Sequence, residues 1–300
     1  MPDDHPFAVC LTHDVDRPYK RAHQALYYAV RECSPAHFRS LLPARNPYWQ
    51  YEDIMALEDR LGVRSAFYFL NEPPLFERPA REWVRPETWV QQLGRYDVTA
   101  FEVVDLIRTL DSGGWEVGLH GSYHSPEDRE RLRHEKTTLE GVLGHDVVGG
   151  RQHYLRLSVP ETWEHHRAIG LRYDATPGSS TDYGFEYGYR PFAPFEDFLV
   201  FPLTLMEQAL ERHASLADRW AACERLLEEA RRERAVVTVL WHPRYFNESE
   251  FPGFRHLYRR LVERALELGA WVGPPAEFRT ESGRDGTWVE RSRTATHRRV

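Results

Sequence analysis

The chain reads as an α/β protein organised on a mainly parallel sheet of about seven strands. Three observations lead there. Helix-period stretches that stop at Gly alternate with short apolar runs along most of the sequence. The isolated polar residues of catalytic type fall immediately after those apolar runs. The length, 300 residues, is enough for one large core that needs no cross-links.

The elements follow in order. Residues 7–11 form an apolar run, too short for a helix and rich in strand formers, so they read as a buried strand. Residues 51–61 carry a helical period, stop at Gly62, and give way to a strand over 65–70. The same unit recurs as 100–110, Gly113-Gly114 and 115–119, then as 126–143, Gly144 and 147–148. It returns as 161–169, Gly170 and 171–173, as 215–233 and 235–240, and as 254–268, Gly269 and 270–272. Gly just past a helix end takes up the left-handed conformation at little cost, which is why it marks these stops. Ser125-Pro126-Glu127-Asp128 supplies a cap, a first-turn Pro and acidic residues for the positive helix end, which places a helix start there. A parallel sheet so connected is wound open or closed as a barrel.

Three segments interrupt the alternation: 17–48, 73–97 and 176–194. The second, rich in Pro and Trp, reads as irregular. The third carries Tyr183, Phe185, Tyr187, Tyr189 and Phe192 among glycines, and a connection that long and aromatic is expected to be functional. One domain is expected over 1–279, with a polar tail at 280–300.

The net charge of −7 argues against a nucleic-acid partner, which favours a basic surface. Residues 1–5 have no signal-peptide character, and no stretch approaches the ~20 apolar residues of a membrane span. A cytoplasmic protein is expected. Cys10, Cys33 and Cys223 have neither disulfide-framework nor metal spacing. Oligomeric state is left open.

The chemistry gathers at strand ends. Asp14 and Asp16 follow the first strand, and two carboxylates that close repel unless a cation or proton answers one of them. His120 and His124 follow 116–119, Arg151 follows 147–149, Asp174 follows 171–173, and His242 follows 236–241. In a parallel barrel this is the face that bears active sites. An H-x-x-x-H spacing lets both imidazoles reach one ion, and with Asp16 it offers two nitrogens and a carboxylate oxygen. Three protein ligands with open positions describe a catalytic site for Zn²⁺ or a similar divalent ion.

With these residues in place the chain resembles the polysaccharide deacetylases (carbohydrate esterase family four, the nodulation-deacetylase homology domain). Its Thr12-His13-Asp14-Val15-Asp16 opening is similar to the T-x-D-x-D subgroup, and the resemblance runs over residues 7–272. It implies a distorted (β/α) barrel of about seven strands in one domain. It implies Asp14 as base, with Asp16 as metal ligand because Val15 stands where the commoner pattern has a second adjacent Asp. Whether Asp16 or Asp14 is the carboxylate ligand stays open. His120 and His124 match the second motif in spacing, with Gly121 where Ser or Thr is usual. Arg151-Gln152-His153-Tyr154 is similar to the third, which implies Arg151 as partner of Asp14 and the Tyr154 N–H as oxyanion donor. By the same resemblance Asp174 supports the acid, and His242 is the general acid. The implied cofactor is one divalent metal, Zn first, with Co, Mn or Ni as alternatives.

The function so implied is removal of an N-acetyl or O-acetyl group from a carbohydrate by metal-activated water. Two alternatives stand beside it: a same-fold amidohydrolase acting on a non-sugar amide, cyclic imide or ureide, and a carbohydrate-binding protein without turnover. Tyr123, Tyr154, Trp241 and Tyr245 are candidate platforms for a sugar ring. His13, His153, His165 and His166 are read as structural. His165 and His166 are expected in solvent on a helix remote from the strand ends, while His153 and Ser122 are expected beside the site.

Overall fold

The computed structural model describes residues 5–31, 46–282 and 290–291. Eleven strands form one sheet: β1 (Ala8–Val15), β2 (Ala66–Leu70), β3 (Glu116–Gly121), β4 (Gly149–Gln152), β5 (Tyr173–Asp174), β6 (Phe192–Phe195), β7 (Phe198–Val200), β8 (Leu203–Met206), β9 (Val236–Leu240), β10 (Trp271–Gly273) and β11 (Glu290–Arg291). Their order in space is β11-β6-β7-β5-β4-β3-β2-β1-β9-β8, with β10 added on β1. Nine of them run parallel, and β6 turns back antiparallel on β7. The result is a single curled, distorted (β/α) barrel.

β1 is its centre. All eight of its residues are buried, as a strand covered on both faces requires. It pairs with β2 on one side and β9 on the other, so the residues that follow these three strands emerge together. The interior is filled by large rings opposite small residues. A Cβ on Gly118 would meet the Tyr68 ring at 2.5 Å, and one on Gly149 would overlap the Tyr173 ring. Glycine is required at both places because those two tyrosines occupy the barrel, their hydroxyls 3.0 Å apart.

The helices are α1 (Ala22–Arg31), α2 (Tyr51–Leu61), α3 (Ala80–Trp83), α4 (Pro86–Gly94), α5 (Phe101–Ser112), α6 (Arg129–Leu143), α7 (Glu161–Ala168), α8 (Leu216–Glu233), α9 (Phe254–Glu267) and α10 (Pro275–Ser282). α2 shows the logic of the set. It buries Tyr51, Ile54, Met55, Leu57 and Glu58 along one stripe, and ends at Gly62 with φ 68°. α6 starts three residues later than its sequence suggests: the cap is Asp128, which accepts from the Arg131 N–H at 3.0 Å. Ser125 instead closes the preceding turn by donating to the Ser122 carbonyl at 2.9 Å.

The expected barrel of about seven parallel strands is present, with nine in all because the apolar run 198–206, divided at Pro202, yields two strands, β7 and β8, that join different neighbours. One expectation is corrected here. The stretch 73–97 is largely helical, since Pro86 opens α4 at its first turn rather than breaking it. The long aromatic segment 176–194 is bonded back to the sheet. Leu203 N donates to Pro177 O, Gly184 N to Thr204 O and Val236 N to Tyr189 O, so the loop satisfies backbone groups of β8 and β9 that no strand pairs.

Two features bear on the site. Tyr96, at the end of the 73–97 stretch, donates its hydroxyl to Val15 O at 2.7 Å and accepts from Leu70 N at 2.8 Å. It thereby clips the ends of β1 and β2 together. The tail expected from residue 280 begins inside α10, and residues 283–289 and 292–300 lie outside the described residues, as do 32–45 of the first insertion.

Candidate active site

Side chains alternate along β1, and this explains the T-x-D pattern. His13 turns towards the helices: it donates to Trp241 O at 2.5 Å, meets Glu58 Oε1 at 3.1 Å and stacks on Phe67. It is structural, as expected. Thr12 and Asp14 turn the other way and share one partner. Arg151 Nη1 donates to Asp14 Oδ1 at 2.8 Å and to Thr12 Oγ1 at 2.9 Å, while its Nε donates to Ala175 O at 2.7 Å. Thr12 is itself held by donating to Val239 O at 2.7 Å. Burial pushes the Asp14 carboxyl up, but Arg151, His120 and His242 outweigh it and hold it below the ordinary carboxylate range. Arg151 thus favours the ionised form of Asp14.

His242 emerges after β9, and its charge acts on both Asp14 and Asp16. Its Nδ1–H donates to Glu207 Oε1 at 2.6 Å, and its backbone N–H points at Glu207 Oε2 at 3.3 Å. Burial alone would lower its pKa; the Glu207 carboxylate overrides that and raises it. Glu207 is fully buried in the turn after β8. Sequence reasoning missed it, although the alternating 203–206 run followed by a carboxylate carries the same strand-end signal as β1.

The supporting role expected of Asp174 is thereby corrected. Asp174 accepts from Trp163 Nε1 at 3.0 Å and from the Thr176 hydroxyl, and it lies 3.7 Å from His166 Nδ1. It ties β5 to α7 and has no bond to His242. The imidazole expected in solvent, His166, is 1% exposed and receives the Gln152 amide on its Nε2 at 2.7 Å.

Asp16 lies just beyond the strand, and its answering cation is a different one. Arg244 Nη1 reaches its two oxygens at 3.5 and 3.3 Å. The repulsion between the two carboxylates is thus relieved twice, by Arg151 on Asp14 and by Arg244 on Asp16. Burial pushes Asp16 up, yet Arg244, His242, Arg17 and His153 bring it far below the ordinary range.

The residues predicted to hold a metal do not fit it as a set. His120 donates Nδ1–H to Arg151 O at 3.0 Å and turns Nε2 towards Asp14 Oδ2 at 3.8 Å. Asp16 is engaged by Arg244. His124 sits in another environment: its Nε2 is buried without a partner, and the charges acting on it are those of Glu82, Arg131, Arg78 and Arg156. Among the described residues no three His, Cys, Asp or Glu side chains converge as ligands. Among the described residues Asp16, His120 and His124 are thus not brought together as a ligand set.

The turn between His120 and His124 is held from behind by buried acids. Glu135 Oε2 accepts from Ser122 N and Glu72 Oε2 from Tyr123 N, each at 3.1 Å. Burial pushes Glu135 up to about 8, so it is a neutral carboxyl around neutral pH. The turn presents Tyr123 to a rim where Tyr154 meets its ring edge-on at 5.7 Å and Arg156 lies over it at 4.3 Å. Tyr154 is half exposed and adopts a positive φ of 57°, which turns the chain sharply after β4. His153 lies inside this rim, 5.0 Å from the His120 ring, and burial lowers its pKa to about 3. Trp241 and Tyr245 are not platforms. Trp241 is buried beside Phe254 and Tyr258, and Tyr245 stacks on Phe251 at 4.0 Å with its hydroxyl on Glu211.

No protein-family model matches the chain, and no curated protein does. Solved structures do. One named as a polysaccharide deacetylase of Mycobacterium smegmatis shares 17% identity and a TM-score of 0.64, over 99% of this chain and 96% of that one. Another with that name, from Pseudomonas aeruginosa PAO1, shares 13% and 0.63 over 95% and 93%. Puue allantoinase shares 13% and 0.63 over 96% and 94%. At these identities the likeness is one of fold. The architecture is that of the deacetylase-type (β/α) barrel. Polysaccharide deacetylases and an allantoinase share it with this chain, and among the described residues no helix is long and apolar enough to cross a membrane.

Proposed function

We propose that the chain hydrolyses an acyl–nitrogen bond, with the N-acetyl group of a carbohydrate as the first candidate substrate. One observation carries this: a carboxylate whose pKa is lowered and an imidazole whose pKa is raised stand at the ends of the neighbouring strands β1 and β9. Asp14, lowered by its cations, is the base that takes a proton from attacking water. His242, raised by Glu207, is the acid that protonates the departing nitrogen, which leaves poorly as an anion. Environments that push two titratable groups apart in this way assign their acid and base roles. Tyr123 and Tyr154 supply ring faces for a sugar at the mouth, and no step of the reading passes through a metal.

The test is acetate release from a panel of N-acetyl sugars, run beside allantoin and a cyclic imide. Asp14→Asn and His242→Gln are each expected to lower kcat by about 10²–10⁴-fold. Turnover of the ureide or imide alone would favour the amidohydrolase reading, which the likeness to an allantoinase fold supports. Substrate binding without any turnover would overturn both and leave a binding protein.

A further inference from the structure

We propose that the substrate carries an anionic group, a carboxylate or a phosphate, which Arg17 and Arg244 receive at the mouth of the site. The proposal rests on the hydrolase reading above and names its substrate class.

The argument begins with what solvent reaches. Asp14, His120, Arg151, His153 and His242 are buried, whereas Asp16, Arg17 and Arg244 are partly exposed. These last three therefore form a solvent-reached edge of the reactive cluster. Their ion pairing is incomplete. Arg244 touches Asp16 through one nitrogen at 3.3 Å or more, and its other nitrogens meet no acceptor among the described residues. Arg17 acts on Asp16 and His153 through its charge, yet among the described residues it makes no hydrogen bond or ion pair. A purely structural pair in the same protein looks different: Arg78 meets Glu72 at 2.5 Å with both side chains buried.

Charge balance points the same way. The cluster sets the guanidinium groups of Arg17, Arg151 and Arg244, and the imidazole of His242 whose pKa Glu207 raises, against Asp14, Asp16 and Glu207. Asp14 is matched by Arg151 and Glu207 by His242, so Asp16 faces two guanidinium groups alone. His153 adds no charge, because it is neutral there. A surplus cation at the mouth of a protein whose net charge is −7 is a local feature, not a property of the whole surface. Guanidinium donors with open positions suit a planar carboxylate or a phosphate better than a neutral sugar hydroxyl.

The experiment compares three substrates of one core: N-acetylglucosamine, N-acetylmuramic acid and N-acetylglucosamine 6-phosphate. The anionic sugars are expected to exceed the neutral one in kcat/KM by at least about tenfold, with the advantage shrinking as salt rises. The better of the two identifies carboxylate or phosphate as the group received. In Arg17→Gln that advantage should fall below about threefold, mainly through KM, as loss of binding shared by ground and transition states requires. Equal kcat/KM for neutral and anionic sugars, or an advantage retained in the variant, overturns the proposal. Should no acetate be released at all, the hydrolase reading on N-acetyl sugars fails by itself. Calorimetric binding of the same three compounds to wild type and Arg17→Gln then decides the present point. Anion preference lost in the variant supports it, while no binding or equal binding overturns it.

Discussion

Glu207 Oε1 lies 2.6 Å from His242 Nδ1, and this buried carboxylate raises the imidazole's pKa against the desolvation that would lower it. A raised pKa keeps the acid protonated to higher pH, so the alkaline limb of the rate profile belongs to His242. Glu207→Gln is expected to move that limb to lower pH and to reduce kcat by about 10²-fold. A pH profile of kcat/KM checks this. Asp174→Asn should leave the limb where it is.

The Arg151–Asp14 pair predicts a change of sign. Asp14 has a folded pKa below its unfolded value, so its contribution to stability is present above the ordinary carboxylate range and is lost as pH falls through the folded value. Arg151→Met removes the main cation and leaves a buried carboxylate with less to answer it, at a cost of about 3–5 kcal/mol near neutrality. Burial then dominates and raises the Asp14 pKa, so the site's contribution falls as pH rises. Urea unfolding at pH 4 and pH 7 should show the variant's deficit smaller at the acid value.

Histidine variants separate the two halves of the H-x-x-x-H motif. His120→Ala removes a group that faces Asp14 at 3.8 Å and should lower kcat by at least about 10²-fold. His124→Ala lies outside the cluster, and less than about threefold is expected. Steady-state kinetics on the two purified proteins, with bound divalent metal measured in each, is the check. A hundredfold loss in the second would restore the metal triad that the spacing suggests.

Tyr96→Phe removes one hydroxyl that serves two strand ends. The Leu70 N–H and the Val15 carbonyl are then left buried without that partner, which costs about 1–3 kcal/mol. Denaturant unfolding measures the loss. The same variant should lower kcat, since Asp14 is one residue from the released carbonyl.

Much of this was legible in the sequence, and the reasons for the remainder are physical. The strand-end rule singled out Asp14, Arg151 and His242, because each follows a recognisable apolar run. Glu207 escaped because its strand is four residues long and shares an apolar run with its neighbour across Pro202. The metal triad failed for another reason. Spacing says which residues can share a turn, but not that Glu135 and Glu72 would bind the backbone N–H groups of Ser122 and Tyr123 between His120 and His124. His166 was misplaced because burial of a short helix depends on what lies under it, here Gln152 and Asp174. Trp241 has the composition of a sugar platform and the position of a core residue, and only packing distinguishes the two.

Tyr96 carries a last consequence. Its hydroxyl joins the segment 73–97 to the strand that bears Asp14, and Glu72 at the start of that segment grips the turn bearing Tyr123. The base and the aromatic rim are thus anchored to one and the same short stretch of chain, like two jaws riveted to a single handle. The strand end beside Asp14 and the turn of Tyr123 are therefore both tied to residues 72–96 by hydrogen bonds.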